Sequence, residues 1–338
     1  MVSLNQTSTA LRAEETVLAV LPRTANVRRG TTTDTVVDLT VNGQPLEIRW
    51  IGEGRLGDVR RLFAYRRDRP LVAVARRLSP GARAALSEAG IGWVDESGAA
   101  EIAVGTVVVS RSGAIDNRDK RPTGWTRSVL AVAEAALCGI TATAAAMRAA
   151  TGLSMGSCVN ALRVLTDLGL LEAAAARGRD SSRRVGDLDR LLDVYATAAE
   201  TLASDLRLEV GVTWRDLADG VRSVARRWDS ADVEYAVTGA LAAEVLAPYL
   251  TSVPTAEVYV ATDTIVGLEA AAAAVGLRPI EGGRLVLRPF PTVSTRRLAG
   301  EVDVLRVAPW PRVYVDLLHA GVRGEDAAEH LKEVVRAR

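Results

Sequence analysis

The sequence predicts a multidomain α+β chain, and three observations predict it. Stretches with helical spacing of apolar residues are interleaved with alternating, strand-like runs from one end to the other. The 338 residues, 48% of them apolar, are enough for two or three separate cores. The polar run SRSGAIDNRDKRPTG, residues 110–124, interrupts that pattern as a linker would. The expected domains are 1–122, 123–193 and 194–338.

Within 1–122, a helix is expected over roughly Ser8–Val20. TVVDLTV and PLEIRWI then flank Asn42-Gly43, the strongest short hairpin signal. A helix over Arg55–Asp68, the strand LVAVA, a helix over Pro80–Ala89 and the hairpin GIGWVDESGAAEIAVGTVVVS follow. Gly52-Glu53-Gly54-Arg55-Leu56-Gly57 has the spacing of a dinucleotide fingerprint. The strand before it carries Glu47 and Arg49 where a buried parallel strand should be apolar, and LVAVARRLS ends without an acid for a ribose. The run therefore reads as a glycine-rich surface loop. Asp38 and Glu47-Ile48-Arg49 are spaced like the acid and E-x-K of restriction-endonuclease-like folds, in which two carboxylates hold a divalent metal. Arg49 stands where that pattern has Lys, and Arg stays protonated. The resemblance thus implies a degenerate, inactive endonuclease-like domain used for contacts; a metal-dependent nuclease at Asp38 and Glu47 is the enzymatic alternative.

Residues 125–193 open with the helix WTRSVLAVAEAALCG. TATAAAMRAATGLSMGSCVNALRVLTDLGLL, residues 141–171, reads as two short helices around a tight turn. The first runs from about Thr141, its N-cap, to Ala150; Gly152 can take positive φ at the turn; Ser154 caps the second, which starts at Met155. Cys158, Ala161, Leu162 and Leu165 form one buried face of that second helix, leaving Ser157, Asn160 and Arg163 outside it. A capped helix with a short polar face suits a major groove about 12 Å wide, where Asn pairs with adenine and Arg with guanine. AAAARGRDSSRRVGDLD continues as a hairpin whose tip carries Arg177, Arg179, Arg183 and Arg184, suited to phosphate or the minor groove. Thr126, Arg127 and Arg148 are further phosphate candidates. LSMGSCVNALRVLTDLGLL resembles the recognition-helix signature of bacterial winged-helix regulators, so the expected partner is double-stranded DNA.

In 194–338 the strands VEYAVTG, AEVYVATD, RLVLRP and EVDVLRVA alternate with helices around one small sheet, closing on a helical pair at RVYVDLLHAG and GEDAAEHLKEVVRAR. Tyr235–Ala243 looks like the strand-to-helix start of a nucleotidyltransferase-like fold. A working enzyme of that kind would carry two metal-gripping acids at alternate positions of the next strand. Here Glu257 is followed by Tyr259, so the resemblance implies a catalytically silent domain, with a nucleotidyltransferase at Glu257 as the alternative. Glu301 and Asp303 read as relics of a third acid or as solvated edge residues. In this order, a winged helix, VTGALAAEVLAPYL and PRVYVDLLHAGVRGEDAAEHL resemble the AbiEi-type antitoxin and related bacterial transcriptional regulators over 125–338. The most specific parts are the VTG-helix junction and the run from Tyr314-Val315-Asp316-Leu317-Leu318 to Ala327-Ala328. The resemblance implies a DNA-binding repressor whose last domain serves structure, a protein partner or a small-molecule effector. The long segment before the winged helix favours a stand-alone regulator over an antitoxin acting with a toxin.

Composition narrows the classes further. A net charge of +1 gives no global basic field, so affinity for nucleic acid must come from local patches. Lys120 and Lys332 are the only lysines, an Arg bias that a GC-rich coding sequence would impose. No run of 18 apolar residues occurs and MVSLNQTSTALRAEE lacks signal-peptide order, so a cytoplasmic protein without membrane contact is expected. Cys138 and Cys158 read as small core residues; His319 and His330 fit no zinc spacing or nucleophilic triad. The expected function is sequence-specific transcriptional regulation by a monomer or homodimer, without catalysis, cofactor or metal.

Overall fold

Alternation in TVVDLTV and PLEIRWI sets the register of the first sheet, because a one-residue slip would turn Val37, Leu39 and Ile48 to the wrong face. The computed structural model describes residues 4–22, 24–33, 35–65, 69–105, 107–112, 124–173, 183–250 and 253–338. They form two compact units, 1–118 and 119–338.

The first unit runs α1 (Leu4–Val20), β1 (Val27–Thr32), β2 (Val36–Val41), β3 (Gln44–Gly52), α2 (Leu56–Phe63), β4 (Leu71–Ala75), α3 (Pro80–Glu88), β5 (Gly92–Asp95), β6 (Ala99–Val104) and β7 (Val107–Ser112). Its seven strands lie in sequence order. β3, β4 and β5 are parallel and the flanking pairs antiparallel. Asn42 and Gly43 both take positive φ, 49° and 81°, at the turn between β2 and β3. α1 covers one sheet face through Ala10, Ala13 and Val17, while α2 and α3 cover the other through Val59, Leu62 and Leu86. β4 is buried throughout for that reason. β1 was not legible: VRRGTT has no apolar alternation and is a strand by pairing with β2 at the sheet edge. The segment read as one last hairpin holds three strands, β5 to β7. The α2 helix is shorter than the expected Arg55–Asp68, ending at Phe63.

The second unit begins with α4 (Arg127–Leu137), α5 (Ala144–Thr151), α6 (Met155–Asp167), β8 (Leu171–Ala173), β9 (Arg183–Val185) and α7 (Leu188–Thr201). It continues with β10 (Leu208–Gly211), α8 (Leu217–Ser230), β11 (Tyr235–Thr238), α9 (Gly239–Leu246), β12 (Ala256–Val260), α10 (Ile265–Ala273), β13 (Arg278–Pro279) and β14 (Leu285–Pro289). α11 (Val293–Leu298), β15 (Gly300–Val302), β16 (Leu305–Val307), α12 (Trp310–Leu318) and α13 (Gly321–Arg336) complete it. The sheet is larger than expected: seven strands in the order β13-β10-β14-β12-β11-β16-β15. EVDVLRVA is a hairpin rather than one strand, turning at Asp303 and Val304 with φ of 50° and 63°.

One apolar core runs from Trp125, Cys158 and Leu162 through Tyr195 to Val237, Val258, Leu317 and Leu331. The expected boundary at 193/194 therefore passes through a shared core. α4 shows why. Val129–Leu137 are buried on every side, against α5, α6, α7, α11 and α12. Among the described residues, no helix is long and apolar enough to cross a membrane.

Candidate nucleic-acid interface

The helix pair α5–α6 forms from local chemistry. Gly152 ends α5 in the left-handed region, φ 73°, and donates its N–H to the Arg148 carbonyl at 2.9 Å. The Ser154 hydroxyl caps α6 by accepting from the Ser157 N–H at 3.1 Å. Cys158, Ala161, Leu162 and Leu165 are fully buried, as their spacing requires. The first helix departs from expectation: it starts at Ala144 with Thr143 as cap, not at Thr141. The reason lies at β9, where the Ala142 carbonyl accepts from the Arg183 N–H at 3.2 Å as an isolated bridge beside the β8/β9 pair.

On the outer face of α6, Met155, Val159, Asn160 and Arg163 are exposed. Arg163 donates to the Asn160 Oδ1 at 3.0 Å and to Asp167 at 2.9 Å, so the two base-reading candidates hold each other in place before any ligand arrives. Ser157 is half-buried and its hydroxyl is 2.9 Å from that of Ser154, which assigns it to the cap. Val159 was not anticipated, yet it stands four residues after Met155 on the same face; half exposed, it offers an apolar contact of the kind a thymine methyl takes.

The basic residues divide. Arg148 is exposed on α5 and Arg127 on the first turn of α4. The Thr126 hydroxyl caps α4 through the Val129 N–H, at 3.2 Å. Arg183 donates from Nε to the Thr166 hydroxyl at 3.0 Å, tying β9 to α6. Arg184 faces Glu172 across the hairpin at 2.8 Å and is exposed. Arg177 and Arg179 lie outside the described residues.

Two buried polar clusters lie in this unit, one tying α4 to α7 and α11 and one tying α12 to β11 and β12, and neither was anticipated. Glu134, in the middle of α4, accepts from the Tyr195 hydroxyl at 2.6 Å, the Ser294 hydroxyl at 2.8 Å and the Thr295 hydroxyl at 2.9 Å. Arg297, on the same short helix α11, donates to the Ala149 and Ala150 carbonyls at 3.3 and 3.2 Å, where cations suit a helix end. A lone acid in the apolar run LAVAEAALCG was the available signal.

In the second cluster, Asp316 accepts from the Thr238 hydroxyl at 2.5 Å, the Tyr259 hydroxyl at 2.6 Å and Arg312 Nε at 3.0 Å. Thr238 belongs to the VTG junction and Asp316 to the Tyr314–Leu318 run, so the two most specific motifs of the sequence touch. Burial by itself would push the Asp316 carboxyl up; Arg312 and the two hydroxyls outweigh it and hold the carboxyl below its usual range. Glu257 pairs with Arg288 at 3.4 Å, and burial pushes its carboxyl up.

Burial also pushes the Glu134 carboxyl up, the three hydroxyls only partly opposing it. A carboxyl raised in the folded state keeps its proton after the unfolded chain has lost it. Its contribution is therefore greatest below the ordinary carboxylate value and is lost as pH rises through the raised value. Glu134→Gln cannot titrate. The thermal midpoint of the wild type should fall relative to that variant as pH rises from the ordinary carboxylate range through the raised value; parallel curves would rule out a titrating Glu134.

In the first unit, Gly52 and Gly54 take φ of 101° and 87°. The Gly54 and Arg55 N–H groups donate to the Asp58 carboxylate at 2.8 and 2.9 Å. The chain's own acid thus occupies the position a phosphate would need. Gly54 is buried, where a Cβ would lie 2.4 Å from the Arg77 carbonyl oxygen, so the run is a packed turn and not an open surface loop. Asp38 stands directly opposite Glu47 in the ladder; Arg69 lies 3.6 Å from Asp38 and Arg49 3.3 Å from Glu47. Among the described residues, no three His, Cys, Asp or Glu side chains gather into a metal-binding group. Compared with known proteins, the chain matches no family, no curated protein and no solved structure.

Proposed function

We propose that the protein is a sequence-specific DNA-binding transcriptional regulator, a cytoplasmic repressor, that reads the major groove with α6. One observation carries this: a capped helix, locked on one face by the core, presents Val159, Asn160 and Arg163 on the other. Arg148 on α5 and Arg184 on β9, both exposed, support the reading as cations available to flanking phosphates. The resemblance to AbiEi-type regulators agrees with this reading. A catalytically silent nucleotidyltransferase-like role for the sheet is supported by Tyr259, whose hydroxyl is committed to Asp316 and Arg312. For 1–118, the β1–β2–β3 meander, α2 and the parallel β4 support the endonuclease-like reading. The arginines on Asp38 and Glu47 support inactivity.

A salt-series titration against the protein's own promoter region and a scrambled duplex, without metal, tests the proposal. Preference for the promoter duplex is expected; equal binding at every salt concentration refutes it. Arg184→Ala should lower the salt slope by about one and leave the preference unchanged. An unchanged slope would remove the wing from the interface.

A further inference from the structure

A cavity of about 540 Å³ opens between the helix-turn-helix and the sheet of the second unit, within the roughly 300–1,000 Å³ of small-molecule sites. Arg127 and Ser128 of α4 and Leu153 before α6 line it, with Asp263 after β12, Phe290 after β14 and Arg296 on α11. Its charges differ in availability. Arg296 is engaged by Glu234 outside the cavity wall. Arg127 and Asp263 are exposed and enter no ion pair among the described residues. Arg127 is also the first residue of α4, where the positive helix end adds to its charge. Leu153 and Phe290 add apolar wall to the same cavity.

We propose that this cavity binds a zwitterionic metabolite of the amino-acid type with an apolar side chain. Its carboxylate would go to Arg127, its ammonium to Asp263 and its side chain to Leu153 and Phe290. A simple anion would confront Asp263, and a simple cation would confront both arginines; a molecule carrying both charges satisfies the two free groups together. The cavity is also placed to influence α6. Leu153 sits in the turn before that helix, and Thr292, another wall residue, hydrogen-bonds to Ser294 and Thr295, the hydroxyls that hold Glu134. This regulatory step rests on the DNA-binding reading; occupancy of the cavity does not.

Calorimetric titration of the full chain with L-phenylalanine, 3-phenylpropionate and phenethylamine separates the charges. L-phenylalanine should saturate one site, and each singly charged analogue should bind about tenfold more weakly or worse, as loss of one charged hydrogen bond requires. Arg127→Ala should reduce L-phenylalanine to the level of phenethylamine, and Asp263→Asn to that of 3-phenylpropionate. Both side chains are exposed, so the variants should fold. No saturable binding of L-phenylalanine, equal affinity for the three, or indifference to both substitutions overturns the site. Repeating the DNA titration with and without L-phenylalanine should change promoter affinity at least about fivefold. A chain that binds L-phenylalanine but shows no promoter preference overturns the DNA reading and leaves the site standing; the reverse result overturns the site alone.

Discussion

Replacing Asp316 by Ala should cost about 3–5 kcal/mol, because it strands the Arg312 guanidinium in the core without a counter-charge. Both side chains are almost fully buried, 1% and 5% exposed. The Thr238 and Tyr259 hydroxyls would lose their acceptor as well. Calorimetry should show the transition of residues 119–338 falling by on the order of 10 °C, at roughly 2–4 °C per kcal/mol for a unit of this size. Asp316→Leu with Arg312→Met should recover most of the loss, since the pair is replaced by apolar groups of similar volume. The wild-type contribution has an acid limit: a carboxyl held low in the folded state stabilises above its ordinary value and loses that effect as pH falls through the folded one. A single variant that melts within about 2 °C of wild type would mean that Arg312 reaches solvent or another partner.

Asn160→Ala with Arg163→Ala should abolish promoter preference while leaving stability within about 0.5 kcal/mol, since both side chains are exposed. Each base contact of this kind contributes roughly 1–3 kcal/mol of discrimination, so the pair amounts to about a thousandfold at mid-range. The two are bonded to each other, which forbids simple addition. Removing Asn160 frees Arg163 to wander, and the single variants should together exceed the double. Retained selectivity in the double variant would move recognition to another element.

What the sequence made legible was what neighbours in the chain decide. Gly152, the Ser154 cap and the buried quartet on α6 follow from backbone conformation and period, and they were found at their positions. The cap at Thr143 was missed because Ala142 is recruited by Arg183, a residue far along the chain. Of the expected contacts, Ser157 is committed to the cap and Arg183 to Thr166, competing bonds that spacing cannot reveal. Glu134 and Ser294 meet across a separation of 160 residues, and neither flank announces the other. Strand β1 likewise owes its state to pairing and not to pattern.

The attachment of α11 to α4 and α5 has a consequence for how this protein can be taken apart. A fragment ending at 193 would carry away Glu134 without Ser294 and Thr295, the end of α5 without Arg297, and a bare apolar flank of α4. Residues 125–193 are therefore not a portable cassette. Recombination, natural or in the laboratory, must move residues 119–338 as a block, and truncations that stop short of it would report misfolding in place of function.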